Sequence, residues 1–166
     1  MLLDSTRQPA APHCERPAGK AVCAWRVRLR GAAAACAVAG VMAVLGGLTP
    51  SPEGFGTHTQ LGGPYCSFLA RTGYPCPTCG VTTSMAWAVR GRFLRAWSAH
   101  PLGVLLTAGL AAIAAAGLVE LACGRPLLRA SRRGLLLIAI FLAAGMMGGW
   151  AWKAAAGVMD GSLPLR

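Results

Sequence analysis

The sequence predicts an all-α integral membrane protein with three transmembrane helices, and three observations carry that prediction. Hydrophobic residues make up 55% of the 166-residue chain and charged residues only 13%, about half the charged fraction of an ordinary soluble domain. Three stretches run for membrane-length distances without a charged side chain, and basic residues cluster beside them. A disordered basic chain would lack so many apolar residues, and the length suits one compact unit.

The first span is expected over residues 31–48, because no charge falls between Arg30 and Glu53. It is mostly Ala and Gly, which contribute less transfer energy than Leu, Ile or Phe. Thirty residues precede it, far more than a signal-peptide n-region, and no A-x-A site follows, so an uncleaved span is expected. The second span, 101–119, lies in the uncharged interval from Ala96 to Val119, with a helix start near Pro101. The third, 134–152, is closed by Arg133 and Lys153. At 1.5 Å per residue, about 19 residues cover roughly 29 Å, close to the ~30 Å hydrocarbon thickness. These spans form a membrane domain over 31–152, followed by a short tail, 153–166.

Residues 1–30 read as a disordered, basic cytoplasmic tail, with Pro9, Pro12 and Pro17 and no apolar period in the first two dozen residues. Arg26, Arg28 and Arg30 lie beside the first span, and Arg125, Arg129, Arg132 and Arg133 lie between the second and third. Basic loops stay in the cytoplasm, which puts the N-terminus inside and the first loop outside. Arg71, Arg90, Arg92 and Arg95 in that outside loop run against the rule. The excess of sixteen Lys and Arg over five Asp and Glu is explained by topology and anionic headgroups. The partner it implies is the lipid bilayer, and nucleic acid is not needed. Trp25, Trp97, Trp150 and Trp152 stand at span edges, as belt residues do. Small residues recur at Ala32, Cys36 and Gly40, at Gly109 and Gly117, and at Gly145 and Gly149, spacings that let helices approach closely.

The chemistry is concentrated in a cysteine loop and short helix over 64–92. Cys66 is followed by Pro75-Cys76-Pro77-Thr78-Cys79-Gly80, so three of the seven cysteines fall in one short stretch. Val81, Met85, Ala88 and Val89 then follow the spacing of an amphipathic helix ending near Gly91. It is too short to span, so an interfacial or re-entrant segment is expected. Pro77 suits a first helical position, which would put Cys76 at the N-cap, where free amides favour a thiolate.

Three readings of the cysteines stay open. A disulfide from Cys66 to Cys76 or Cys79 would staple the loop; closing about ten residues is worth roughly 2–3 kcal/mol. A metal knob, with zinc as the candidate ion, would use Cys66, Cys76 and Cys79, with His58 or His100 as fourth ligand. A redox pair would use Cys76 to attack and Cys79 to resolve, with Cys66 as a third exchange partner. Cys-Pro-x-Cys resembles the active site of thioredoxin-like oxidoreductases, but no βαβ pattern surrounds it. The leading expectation is a non-enzymatic structural or metal-bound knob for docking a membrane partner or a second copy, with the redox protein as the alternative. No acidic residue lies between Glu53 and Glu120, which argues against general acid–base catalysis by the Thr82-Thr83-Ser84 hydroxyls. Glu120, at a span end close to Arg125, is expected to be a snorkelling or ion-paired boundary residue.

Cys66, Thr72-Gly73, Pro75 to Thr82, Gly91-Arg92-Phe93 and Pro101-Leu102 together resemble the bacterial domain-of-unknown-function family 2752. The resemblance covers Tyr65 to Gly117. It implies a small multi-pass protein of the bacterial inner membrane and no particular activity. Two positions depart from the family pattern: Thr83 stands where Arg is usual, and His100 where Asn precedes the Pro. An anion-binding role of that Arg would be lost here or passed to Arg90 or Arg71, and His100 would cap the second span in place of Asn.

Overall fold

The computed structural model describes residues 17–127, 131–159 and 161, with side chains from Ala24 onward. Six α-helices follow one another: α1 (Pro17–Gly47), α2 (Ser67–Thr72), α3 (Val81–Val89), α4 (Phe93–Ala99), α5 (Pro101–Cys123) and α6 (Arg132–Met159). A 3-10 turn at Thr57–Leu61 lies between α1 and α2, and no strand occurs among the described residues. Ala24–Gly47, Pro101–Cys123 and Arg132–Met159, of 24, 23 and 28 residues, are long and apolar enough to cross a membrane.

The expected boundaries shift outward. The tail anticipated as disordered over 1–30 is helical from Pro17, and residues 1–16 lie outside the described residues. Neither Gly nor Pro interrupts the chain between Ala21 and Arg30, so nothing stops the helix of the first span from growing backward. Likewise α6 continues past Trp152 and Lys153 to Met159 through Ala154, Ala155 and Ala156, where a tail was expected.

Helices α1 and α5 pack at very short range. A Cβ on Gly31 would meet the Gly117 carbonyl at 2.5 Å, and one on Gly117 would meet the Gly31 carbonyl at 2.7 Å. Only hydrogen fits between the two backbones here, the small-residue packing used by membrane helices. Beside this seam Glu120 is fully buried and takes two hydrogen bonds from Arg30, Nη2 to Oε1 at 2.6 Å and Nε to Oε2 at 3.2 Å. Its Oε1 also accepts the Leu127 amide at 2.7 Å. Among the described residues Arg30, not Arg125, is thus a cation bound to this carboxylate. A bidentate guanidinium with further donors is the arrangement that a buried charge requires. The expected stripes are only partly used: Gly40 and Gly109 face open space, while Gly145 and Gly149 abut Leu102 and His100.

Helix α6 stands apart. Its first turns leave Leu135, Leu136, Leu137, Ile138, Ile140 and Phe141 exposed, and it meets the rest of the protein through its second half. There Trp150 Nε1 donates to the Pro75 carbonyl at 2.7 Å, and Lys153 Nζ donates to the carbonyls of Gly54 and Ala99 at 3.0 and 3.2 Å.

Between the first two spans, the loop folds as a small helical cap. The short helices α2 and α4 were not foreseen: at six and seven residues they are too short to carry a periodic signal. Helix α3 is seated on α5, since a Cβ on Gly103 would strike Ser84 at 2.5 Å and Ser84 Oγ donates to the His100 carbonyl at 2.7 Å. Arg90 closes the other side by donating to the Leu45, Gly46 and Leu48 carbonyls at the end of α1. Arg92 and Arg95 lie over the Trp87 ring, 5.8 and 5.1 Å from its centroid.

The two glycine classes make the α1–α5 seam testable. Gly117→Leu should lower the melting temperature of detergent-purified protein, costing at least the roughly 1–3 kcal/mol of an overpacked core. Gly109→Leu, in open space on the same helix, should leave it within about 0.5 kcal/mol of the parent. Equal effects of the two substitutions would contradict the seam.

Candidate functional site

The three loop cysteines come together. The Sγ atoms of Cys66, Cys76 and Cys79 all lie within 4.8 Å of one another, and those of Cys76 and Cys79 are 3.0 Å apart. Different local features hold each thiol. Cys66 is the N-cap of α2, its Sγ accepting the Leu69 amide at 3.5 Å. Cys76 and Cys79 open and close a tight turn in which the Cys79 amide donates to the Cys76 carbonyl at 2.9 Å.

That turn is not the first turn of a helix, as Pro77 suggested. Helix α3 begins at Val81, and its N-cap is Gly80, with φ of 99°. This left-handed conformation suits glycine and breaks the path between the cysteine turn and α3. A Cβ here would also meet the carbonyls of Ala99 and Gly54, each at 2.7 Å. Cys76 is therefore not a helix N-cap, and its thiol is tuned by other means.

Burial alone would raise the pKa of Cys76, but hydrogen bonds from Cys79, from the Thr78 hydroxyl and amide, and from Cys66 outweigh it and lower the pKa to about 7. The Thr78 hydroxyl lies 3.2 Å from Cys76 Sγ. Cys79 is pushed up to about 12, first by burial and then by the Cys76 and Cys66 side chains. The two sulfurs thus share one proton, held on the buried Cys79, while the half-exposed Cys76 carries the negative charge.

No disulfide joins the described cysteines, which are all free, so the staple expected from Cys66 is not formed. Neither histidine belongs to the three-thiol cluster. His58 Nε2 is paired with the Pro64 carbonyl at 3.1 Å, although its residue lines the same cavity as the thiols. His100 is fully buried and caps α5, with Nδ1 accepting the Leu102 amide at 3.2 Å, the role expected where the family has Asn. Its Nε2 has no partner within hydrogen-bond geometry, and burial keeps the ring below the usual imidazole pKa.

The position where the resemblance led to an expected Arg is closed here. Thr83 is 1% exposed, and its hydroxyl is 2.7 Å from that of Thr57, so the surrounding packing leaves a guanidinium no room. Arg90 does not act as a free substitute, since α1 carbonyls and the Ala86 carbonyl occupy it. Ser84 is likewise engaged, and neither hydroxyl is next to a base.

Sequence reasoning missed the supports of the turn: the Thr78 hydroxyl, Trp150 and Lys153. Thr78 sits inside the motif and could have been recognised as a thiolate donor. Trp150 and Lys153 stood out only as edge residues of the third span. It also missed a cavity of about 900 Å³ that begins at the three cysteines and runs between α5 and α6, past Leu106, Leu142 and Met146.

Residues 66–114 match the family described as "Protein of unknown function (DUF2752)". The match takes in the three thiols, α3, α4 and the first half of α5, which bears out the resemblance carried by the motif. No curated protein and no solved structure matches the chain.

The thiol asymmetry has a direct readout. Alkylation of the full chain by iodoacetamide should modify Cys76 first, with a rate that rises with pH through a midpoint near 7 as the thiolate forms. Cys79 should stay unmodified until far more alkaline pH. Thr78→Val removes a donor to the thiolate, so the Cys76 midpoint should move upward. A Cys76 midpoint at the ordinary thiol value in the parent protein would overturn this account.

Proposed function

We propose that the chain is a membrane thiol–disulfide redox protein in which Cys76 is the attacking thiolate and Cys79 the resolving thiol. The single observation that carries this reading is the Cys76–Cys79 sulfur separation of 3.0 Å. A disulfide would need about 2.05 Å. Two thiolates on one tetrahedral zinc, each about 2.3 Å from it, stand about 3.8 Å apart. The observed spacing fits neither a formed disulfide nor a shared zinc ion, and leaves the two sulfurs as a close, reduced pair. The low Cys76 pKa and high Cys79 pKa support the division of labour, because attack needs a thiolate and resolution needs a thiol held in reserve.

A second reading, a metal-binding knob, is favoured by one observation, the convergence of three sulfurs within 4.8 Å. Zinc would take Cys66, Cys76 and Cys79, with a fourth ligand from His58 or another donor. Opening the Cys76–Cys79 pair by under an ångström would be enough to admit it.

The setting we propose is a bacterial inner membrane, with the N-terminus in the cytoplasm and the thiol cap at the outer face. The basic clusters flanking α1 and following α5 support this orientation. Three of the four arginines that run against it are tied to backbone carbonyls or to Trp87, so they have roles apart from topology.

Glutathione disulfide separates the two readings. With Cys66 and Cys79 both changed to Ala, Cys76 should accumulate a stable mixed disulfide with glutathione, seen by mass spectrometry of the intact protein. The parent protein should release glutathione and form Cys76–Cys79. Cys76→Ser should abolish both reactions without changing the melting temperature by more than a few degrees. Absence of any adduct, together with one zinc per chain that is lost in Cys76→Ser, would establish the metal knob instead.

A further inference from the structure

The cavity beside the thiols has a chemical polarity that the exchange reaction does not explain. All three cysteines line one end of it, together with hydroxyls of the loop and of α3, among them Tyr65, Thr78 and Thr82. The other end is walled by Leu106 of α5 and by Leu142 and Met146 of α6, residues within two helices long enough to cross a membrane. Leu142 lies eight residues before Trp150, whose side chain bonds the carbonyl next to Cys76. At 1.5 Å per residue the cavity therefore extends about 12 Å along α6 from the level of the thiols. Among the described lining residues there is no Asp, Glu, Lys or Arg.

Each of these properties selects against one class of occupant. A phospholipid phosphate or a fatty-acid carboxylate is anionic and would enter with no cationic side chain among the described lining residues, beside a thiolate that repels it. A soluble disulfide or peptide would leave the aliphatic end unfilled. What fits is a neutral head that accepts hydrogen bonds, joined to an apolar tail that reaches it from the bilayer. The volume of about 900 Å³ is in the range of small-molecule sites, roughly 300–1,000 Å³.

We propose that this cavity binds a membrane quinone, which serves as the electron acceptor for the Cys76–Cys79 dithiol. The inference rests on the thiol–disulfide reading above and names its oxidant. With the quinone head between the loop hydroxyls, its carbonyl oxygens meet hydrogen-bond donors and the ring lies against the sulfurs. The Cys76 thiolate and the Cys79 thiol lose two electrons and the Cys79 proton as the sulfur–sulfur bond forms. The quinone gains the two electrons, takes that proton and one more from water, and leaves as quinol. The sulfurs need to close by about 1 Å, from 3.0 Å to disulfide length. Cys66, within 4.8 Å of both, is placed to receive the new disulfide by exchange and to hand it onward.

Several features make the position suitable. Cys76 and Cys79 both line the cavity, and the attacking Cys76 is the more exposed of the two. The splayed first half of α6 leaves the apolar end between two helices that contact each other mainly near Leu102 and Gly145, so a tail has a lateral route into lipid. Nothing charged has to move for the ligand to enter.

The test uses the full chain in detergent, reduced, freed of reductant and mixed with decylubiquinone. Ubiquinol formation is followed by absorbance, and thiol loss by maleimide labelling. The parent protein should form one quinol per chain with loss of two thiols, and Cys76→Ser should form none. Ala143 lines the cavity and is exposed, so Ala143→Phe can fill the apolar end without disturbing a packed core. It should slow quinone reduction at least tenfold while reacting with glutathione disulfide at the parent rate. Leu106→Phe, from the opposite wall, should do the same. If both fillers leave quinone reduction unchanged, the cavity is not the quinone site and the proposal falls. If the parent reacts with glutathione disulfide but not with decylubiquinone, the proposal falls while the exchange reading stands. Failure of both reactions would overturn the two together.

Discussion

At the edge of a bilayer, a folded loop must satisfy its own backbone carbonyls, because the apolar side offers no water to do it. In this protein long side chains from neighbouring elements meet that demand. Arg90 binds three carbonyls at the end of α1. Lys153 binds those of Gly54 and Ala99, Trp150 that of Pro75, and Ser84 that of His100. Together these bonds tie the cap to all three spans. Pro75 precedes Cys76, and the Gly54 and Ala99 carbonyls press on Gly80 just after Cys79. The cysteine turn is thus clamped at both ends, and its sulfurs occupy fixed positions before any substrate or ion arrives.

The same clamps account for the uneven bundle. Helices α1 and α5 are joined along their backbones by Gly31 and Gly117 and locked by Arg30 and Glu120. Helix α6 has no comparable seam and is attached through Trp150, Lys153, and the glycines that admit Leu102 and His100. Attachment at one end leaves the other free to diverge, which opens the cavity at the level of Leu106 and Leu142. A tighter seam along α6 would have closed it.

The spans were legible because charge gaps of this length have one physical explanation in a chain so poor in charge. The convergence of Cys66 with Cys76 and Cys79 was also legible, from their closeness in sequence and the turn-forming residues between them. Other features were hidden because their causes are distant or local in ways a pattern does not express. Arg30 finds Glu120 across ninety positions, and Arg125 looked nearer only along the chain. The start of α3 at Val81 depends on the left-handed Gly80, whereas Pro77 offered an equally good helix start. Helix α2 is capped by Cys66, a residue whose chemistry drew attention away from its capping role. Arg90, Arg92 and Arg95 looked like misplaced topology signals, but their partners are carbonyls and an indole.

The electrostatics of the thiols follow first from burial and from hydrogen bonds. No carboxylate is available between Glu53 and Glu120 to act as a base, and Cys76 is not a helix N-cap. Both sulfurs line the cavity, but Cys79 is buried whereas Cys76 is partly exposed with the Thr78 hydroxyl beside it. Burial penalises a charge on Cys79, and its proton then stabilises the charge on Cys76 across 3.0 Å. A fold built to satisfy backbone carbonyls at a membrane edge therefore also sorts one thiolate from one thiol. Both sulfurs border the cavity, the more exposed one favouring the thiolate and the buried one the thiol.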